Sequence, residues 1–159
     1  MRESFKTGVS FGSTSGIITT LGLMVGLHAG THSRLAVMGG ILTIAIADAF
    51  SDALGIHVSE EAENKHTTRE IWESTIFTFL AKFFFAVTFL IPIFIFPLWT
   101  AIIVSVVYGM ALLVLFSYYM ARMAGSNPLP VVAEHLTVGL TVVLLTHYVG
   151  DWVSLVFKS

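Results

Sequence analysis

Two aspartates, Asp48 and Asp52, stand four residues apart in the stretch IAIADAFSDALGIHVSEE, inside a run that is otherwise as apolar as a bilayer core. On a helix that spacing puts both carboxylates on one face, a single turn apart. One Asp at the centre of a spanning helix opposes insertion by roughly 2.5–3.5 kcal/mol, so the pair requires compensation. Two ionised carboxylates this close repel in a low dielectric, and they therefore share a proton or bind a cation. A purely structural pair, protonated and hydrogen-bonded or neutralised by Lys82 of the third apolar stretch, is the alternative. An ion site is the reading carried forward.

Depth selects the companions of that pair. At 1.5 Å of rise per residue, Ser15 lies about 10 Å, Asp48 about 13 Å and Asp52 about 8 Å from the same membrane face, so Ser15, Asp48 and Asp52 share a level. Hydroxyls at Ser13, Thr14, Ser15 and Ser51, and backbone carbonyls freed around the glycines, supply further oxygen ligands. Towards that face the same helix continues with His57, Glu60, Glu61 and Glu63, an acidic end that concentrates cations at an entrance or is simply a solvated helix terminus. A second polar level occurs in THYVGDW, where His147 and Asp151 are again four apart. There the imidazole donates to the carboxylate or both face one metal ion, near His28 at the far end of the first span. These three are the candidate outer gate.

Positioning these groups requires membrane-spanning helices. Of 159 residues 55% are hydrophobic and only 11% charged, and the mean hydropathy is +0.86, which leaves too little polar surface to cover a soluble globule. A span needs about 20 apolar residues, and five stretches qualify: 8–27, 35–58, 71–96, 98–120 and 131–157. The expected fold is an all-α integral membrane protein, one transmembrane domain over residues 1–159 with no soluble domain. The first stretch lacks a small-residue cleavage site and reads as a retained helix. Arg2, Lys6, Lys65, Arg69 and Arg122 fall on one side of a five-span chain and Arg34 and Lys158 on the other. Positive residues stay inside, which predicts an inner N-terminus, an outer C-terminus and a multi-pass protein of the cell membrane.

Punctuation agrees with this division. HAGTHSR, EEAENKHTTRE, IFPLW and GSNPLP carry breaker or polar signals, and Thr67 with Glu70 reads as a capping box opening the third helix. Gly8, Gly12 and Gly16, then Gly22, Gly26 and Gly30, recur every fourth residue in the first span. Such seams permit close helix contact in lipid, within the chain or between subunits. No basic patch points to nucleic acid. The chain has no Cys and no HExxH motif or Gly-rich phosphate cradle, so no enzyme chemistry is expected.

FGSTSGIITTLGLMVGLHAG followed by GGILTIAIADAFSDALGIHVSEEAE resembles the first two spans of the vacuolar iron transporter family, the iron and manganese carriers of yeast and plants, and its short prokaryotic members above all. The family pattern of a Gly-x-x-Asp-Gly-Ile/Val-Thr-Thr run and a Ser-Met-x-x-Gly-Glu-Tyr helix is matched here by GSTSGIITT and SDALGIH. The resemblance implies a five-helix homodimer that exports Fe2+ or Mn2+ from the cytoplasm in exchange for protons, along a path between subunits, with no permanently bound cofactor. This chain departs from the pattern at its acids. Ser15 stands where the family has its first-helix Asp, Asp52 where it has Met, Ile56 and His57 where it has Glu-Tyr, and Thr43 or Ile44 near its second-helix Glu. The segment 60–73 is all that corresponds to the metal-gathering cytoplasmic domain of the eukaryotic members.

These departures move carboxylate from helix one to helix two at similar depth and exchange a thioether for oxygen, which favours Mn2+, Mg2+ or Ca2+ over softer metals. The expectation is a divalent-cation exporter whose Asp48 and Asp52 alternate between metal and protons, four carboxylates converging on a dimer axis. The alternatives are a proton-linked carrier or channel for another solute and a non-transporting membrane scaffold.

Overall fold

The structure, a computed structural model, describes residues 3–157; Arg2 and Lys158, two of the cations used above to orient the chain, lie outside the described residues. Six helices follow in order: α1 Glu3–Thr31, α2 Arg34–Glu63, α3 Thr68–Thr88, α4 Leu90–Ile95, α5 Leu98–Met123 and α6 Pro128–Val156. With α3 and α4 counted as one stretch, Thr68–Ile95, five helices are long and apolar enough to cross a membrane. The all-α, five-span architecture is thus as the hydropathy predicts. The helices overrun the apolar stretches because charged residues continue them, as Glu60 to Glu63 do in α2.

Local chemistry sets the ends. Thr67 and Glu70 form the expected capping box, Thr67 N donating to Glu70 Oε2 at 2.9 Å and Glu70 N to Thr67 Oγ1. Asn64 closes α2 in the left-handed conformation at φ 53°. Pro128 begins α6 behind the N-cap Asn127, where a missing N–H costs nothing. The sequence reading did not anticipate the interruption after Thr88. Its cause is Pro92, which has no N–H for the Thr88 carbonyl four residues back. Where α4 ends, Arg34 Nη2 reaches across from the start of α2 to the Phe96 carbonyl at 2.7 Å.

α1 is the central helix, packed on α2, α3, α5 and α6, and its two glycine seams serve two different neighbours. A β-carbon at Gly8 or Gly12 would lie 2.5 Å from the carbonyl oxygen of Ser74 or Thr78, and one at Gly16 3.0 Å from that of Lys82. Further along, Gly22, Gly26 and Gly30 abut Val142, Thr146 and Gly150 of α6. In both sets the numbers rise together, so α1 runs parallel to α3 at one end and to α6 at the other. The seams are contacts within the chain. By contrast, α2 meets α3 antiparallel, with Asp52 opposite Lys82 and Glu60 opposite Ser74. The outside carries exposed Phe50, Leu54, Phe84, Phe94, Trp99 and Leu115, a surface suited to lipid rather than water.

Candidate ion-binding centre

The centre is built where α1, α2 and α3 meet. α2 turns Ala45, Ala49 and Ala53 into the bundle, small residues that bring its backbone close to its neighbours. Asp48 and Asp52 lie beside this alanine row and reach α3. Opposite them stands Lys82, only 1% exposed and the largest fully buried side chain. Its Nζ donates to Ser15 Oγ at 2.9 Å and to Asp52 Oδ2, and it lies 2.5 Å from Asp48 Oδ2. Ser15 Oγ in turn donates to Asp52 Oδ2 at 2.6 Å. One ammonium therefore bridges both carboxylates, and one hydroxyl bridges the ammonium to Asp52.

The two acids are held differently. Asp52 takes two hydrogen bonds at one oxygen and its side chain is 20% exposed. Asp48 is 29% exposed, and its Oδ2 forms an ion pair outside hydrogen-bond geometry. Asp48 also lines a cleft of about 480 Å³ with Leu23, Leu27, Ala36, Gly40 and Thr43. These neighbours lie on α1 and α2 between Asp48 and the α1–α2 turn, so Asp48 borders an open groove on that outer face of the bundle. Two carboxylates and one ammonium leave one negative charge in excess, and Asp48 is the acid more open to an incoming cation.

The shared level of Ser15, Asp48 and Asp52 is thus present, with the Lys82 ammonium between the carboxylates. Lys82 belonged to the alternative reading of the pair, and the geometry gives it that place. Thr14 and Ser51 make no hydrogen bond to the centre; Thr14 is half-buried and Ser51 faces outwards. Among the described residues, no three His, Asp or Glu side chains are grouped to hold a metal ion.

At the expected entrance the four residues separate. Glu61 and Glu63 are exposed, Glu63 facing Lys65 and His66. His57 Nδ1 lies 3.0 Å from Thr75 Oγ1 and its ring meets Trp72 edge-on. Glu60 is 8% exposed and turns into the bundle to accept from Ser74 Oγ. At the opposite end His147 Nε2 and Asp151 Oδ2 are 3.5 Å apart. The α1–α6 seam brings His28 to this level, buried beside His32 and Trp99.

Sequence reasoning missed Ser74 and Thr78. The signal was available, since Ser74, Thr78 and Lys82 recur every fourth residue in an otherwise apolar span and are fully buried or nearly so. No protein-family model, no curated protein and no solved structure matches the chain.

Proposed function

We propose that the protein is a cation carrier of the cell membrane that exports a divalent metal ion, Mn2+ or Fe2+, in exchange for protons, working at the Asp48–Lys82–Asp52 centre. The observation that carries this reading is the buried Lys82 held by two carboxylates, of which Asp48 borders an open cleft. Ionisable residues at membrane depth characteristically mark ion pathways and proton relays. An ammonium and a divalent ion repel strongly when both sit within one coordination shell in low dielectric. Cargo therefore binds the carboxylates only as Lys82 withdraws or gives up its proton, and Lys82 returns when cargo leaves. Oxygen donors alone favour the harder ions of the first transition row.

A homodimer completes the site. Gly39, Thr43, Ala47, Ser51 and Gly55 form an exposed row of small residues along α2, and Gly39 and Gly55 face open space. A second copy packed on this row covers the partly open Asp48 and brings two centres together. The positive-inside pattern puts the α2–α3 turn, with Lys65 and Arg69, in the cytoplasm.

Purified protein in liposomes, assayed for Mn2+ uptake with and without a pH gradient, tests the reading. Gradient-driven uptake that is lost in Asp52→Asn supports it, and normal uptake by that variant removes its basis. A second reading, a proton-linked carrier of another solute, draws support from the lack of a third grouped metal ligand among the described residues. It predicts a proton flux through the same residues that is indifferent to Mn2+.

A further inference from the structure

Between the ion-binding centre and the α2–α3 turn lies a file of polar groups that the centre itself does not use. On α3, Ser74 and Thr78 are each 0% exposed and precede Lys82 at intervals of one turn. On α2, Ile56 and Glu60 follow Asp52 at the same interval. The antiparallel register is fixed at both ends, Glu60 with Ser74 and Asp52 with Lys82, so Ile56 falls opposite Thr78. α1 closes the back with Gly8 and Gly12, whose backbone abuts Ser74 and Thr78 without a side chain between.

Two groups in this file are poorly accounted for by packing alone. Thr78 Oγ1 is fully buried and has no hydrogen-bond partner, although valine would fill the same space without an unpaired hydroxyl. Glu60, buried at the end of α2 just beyond its apolar stretch, is met by a serine hydroxyl. Each is costly where an apolar side chain would serve, and both lie on the line from Lys82 to the turn.

We propose that Glu60, Ser74 and Thr78 form the route by which a small hydrated cation passes between the α2–α3 end and the Lys82 centre, with Ile56 and Thr78 as its narrowest point. Ser74 and Thr78 are fully buried, so the route is closed in this structure. This inference rests on the carrier reading and adds the path within one protomer, on the side of α2 away from its exposed small-residue row.

The chain contains no Cys, so single cysteines report access directly. Ser74→Cys and Thr78→Cys in the full chain, reconstituted in liposomes, are treated with the small cationic thiol reagent 2-aminoethyl methanethiosulfonate. Ser105→Cys is the control, because Ser105 on α5 is equally buried and its hydroxyl equally unpartnered, yet it lies off the file. Thiol reactivity follows access, and the expected order is Ser74→Cys, then Thr78→Cys, then Ser105→Cys, with about tenfold between the last two. Thr78→Cys reacting no faster than Ser105→Cys overturns the route, whatever the Mn2+ flux. If Thr78→Cys does not fold, Ser74→Cys against Ser105→Cys decides on the same terms. Loss of Mn2+ flux with the labelling order intact removes the metal assignment and leaves the route.

Discussion

Lys82 serves two carboxylates with one charge, and it serves them unequally. Asp52 shares Ser15 and a hydrogen-bonded ammonium, whereas Asp48 is held by charge and borders the cleft. Removing one partner from a buried ion pair leaves an uncompensated charge and typically costs about 3–5 kcal/mol. Lys82→Met is therefore expected to lower stability by about that amount, measured by reversible unfolding in mixed micelles. Adding Asp48→Asn and Asp52→Asn to it should restore most of the loss, since the charges then vanish together. Of the two single asparagine variants, Asp52→Asn is expected to be the more damaging. A Lys82→Met protein as stable as its parent would mean that the carboxylates are neutralised by something else.

At the scale of elements, the glycines of α1 and α2 make opposite predictions. Gly12→Ala would place a β-carbon 2.5 Å from the Thr78 carbonyl oxygen, and backbone on both sides leaves nothing flexible to move, so the α1–α3 seam should open and unfolding should come earlier. Gly39→Ala meets nothing within its own chain and gains helix propensity of up to about 1 kcal/mol, so unfolding of the monomer should come no earlier than in the parent. The sequence made much of this level legible: five spans, the capping box at Thr67, the acidic extension of α2 and the common depth of Ser15 with the aspartates. Periodicity reveals which face of a helix is polar, but not which neighbour that face meets. For that reason the assignment of the α1 seams to α3 and α6 emerged only from the packing, whereas Lys82 as the partner of the aspartates was already the alternative that the sequence offered. The break after Thr88 was legible in principle, since Pro92 sits four residues on.

At the scale of the whole molecule, an up-and-down arrangement of five spans puts the start of α1 and the end of α6 on opposite faces. Reporter tags at the two termini should therefore show opposite protease sensitivity in sealed vesicles. The exposed α2 row gives a second test, of assembly. Ala47→Cys, in a chain without other cysteines, is expected to form a disulfide-linked dimer under mild oxidation, while Leu115→Cys, exposed on α5, should not. Equal cross-linking at the two positions would count against a two-fold interface on α2. The parallel partners of α1 also bear on the order of synthesis. α1 is made before the other four spans, yet the helix that covers Gly22, Gly26 and Gly30 is α6, the fifth of them. Until α6 inserts, that stretch of bare backbone lacks its cover, so a nascent chain arrested before α6 would expose the first of the five spans.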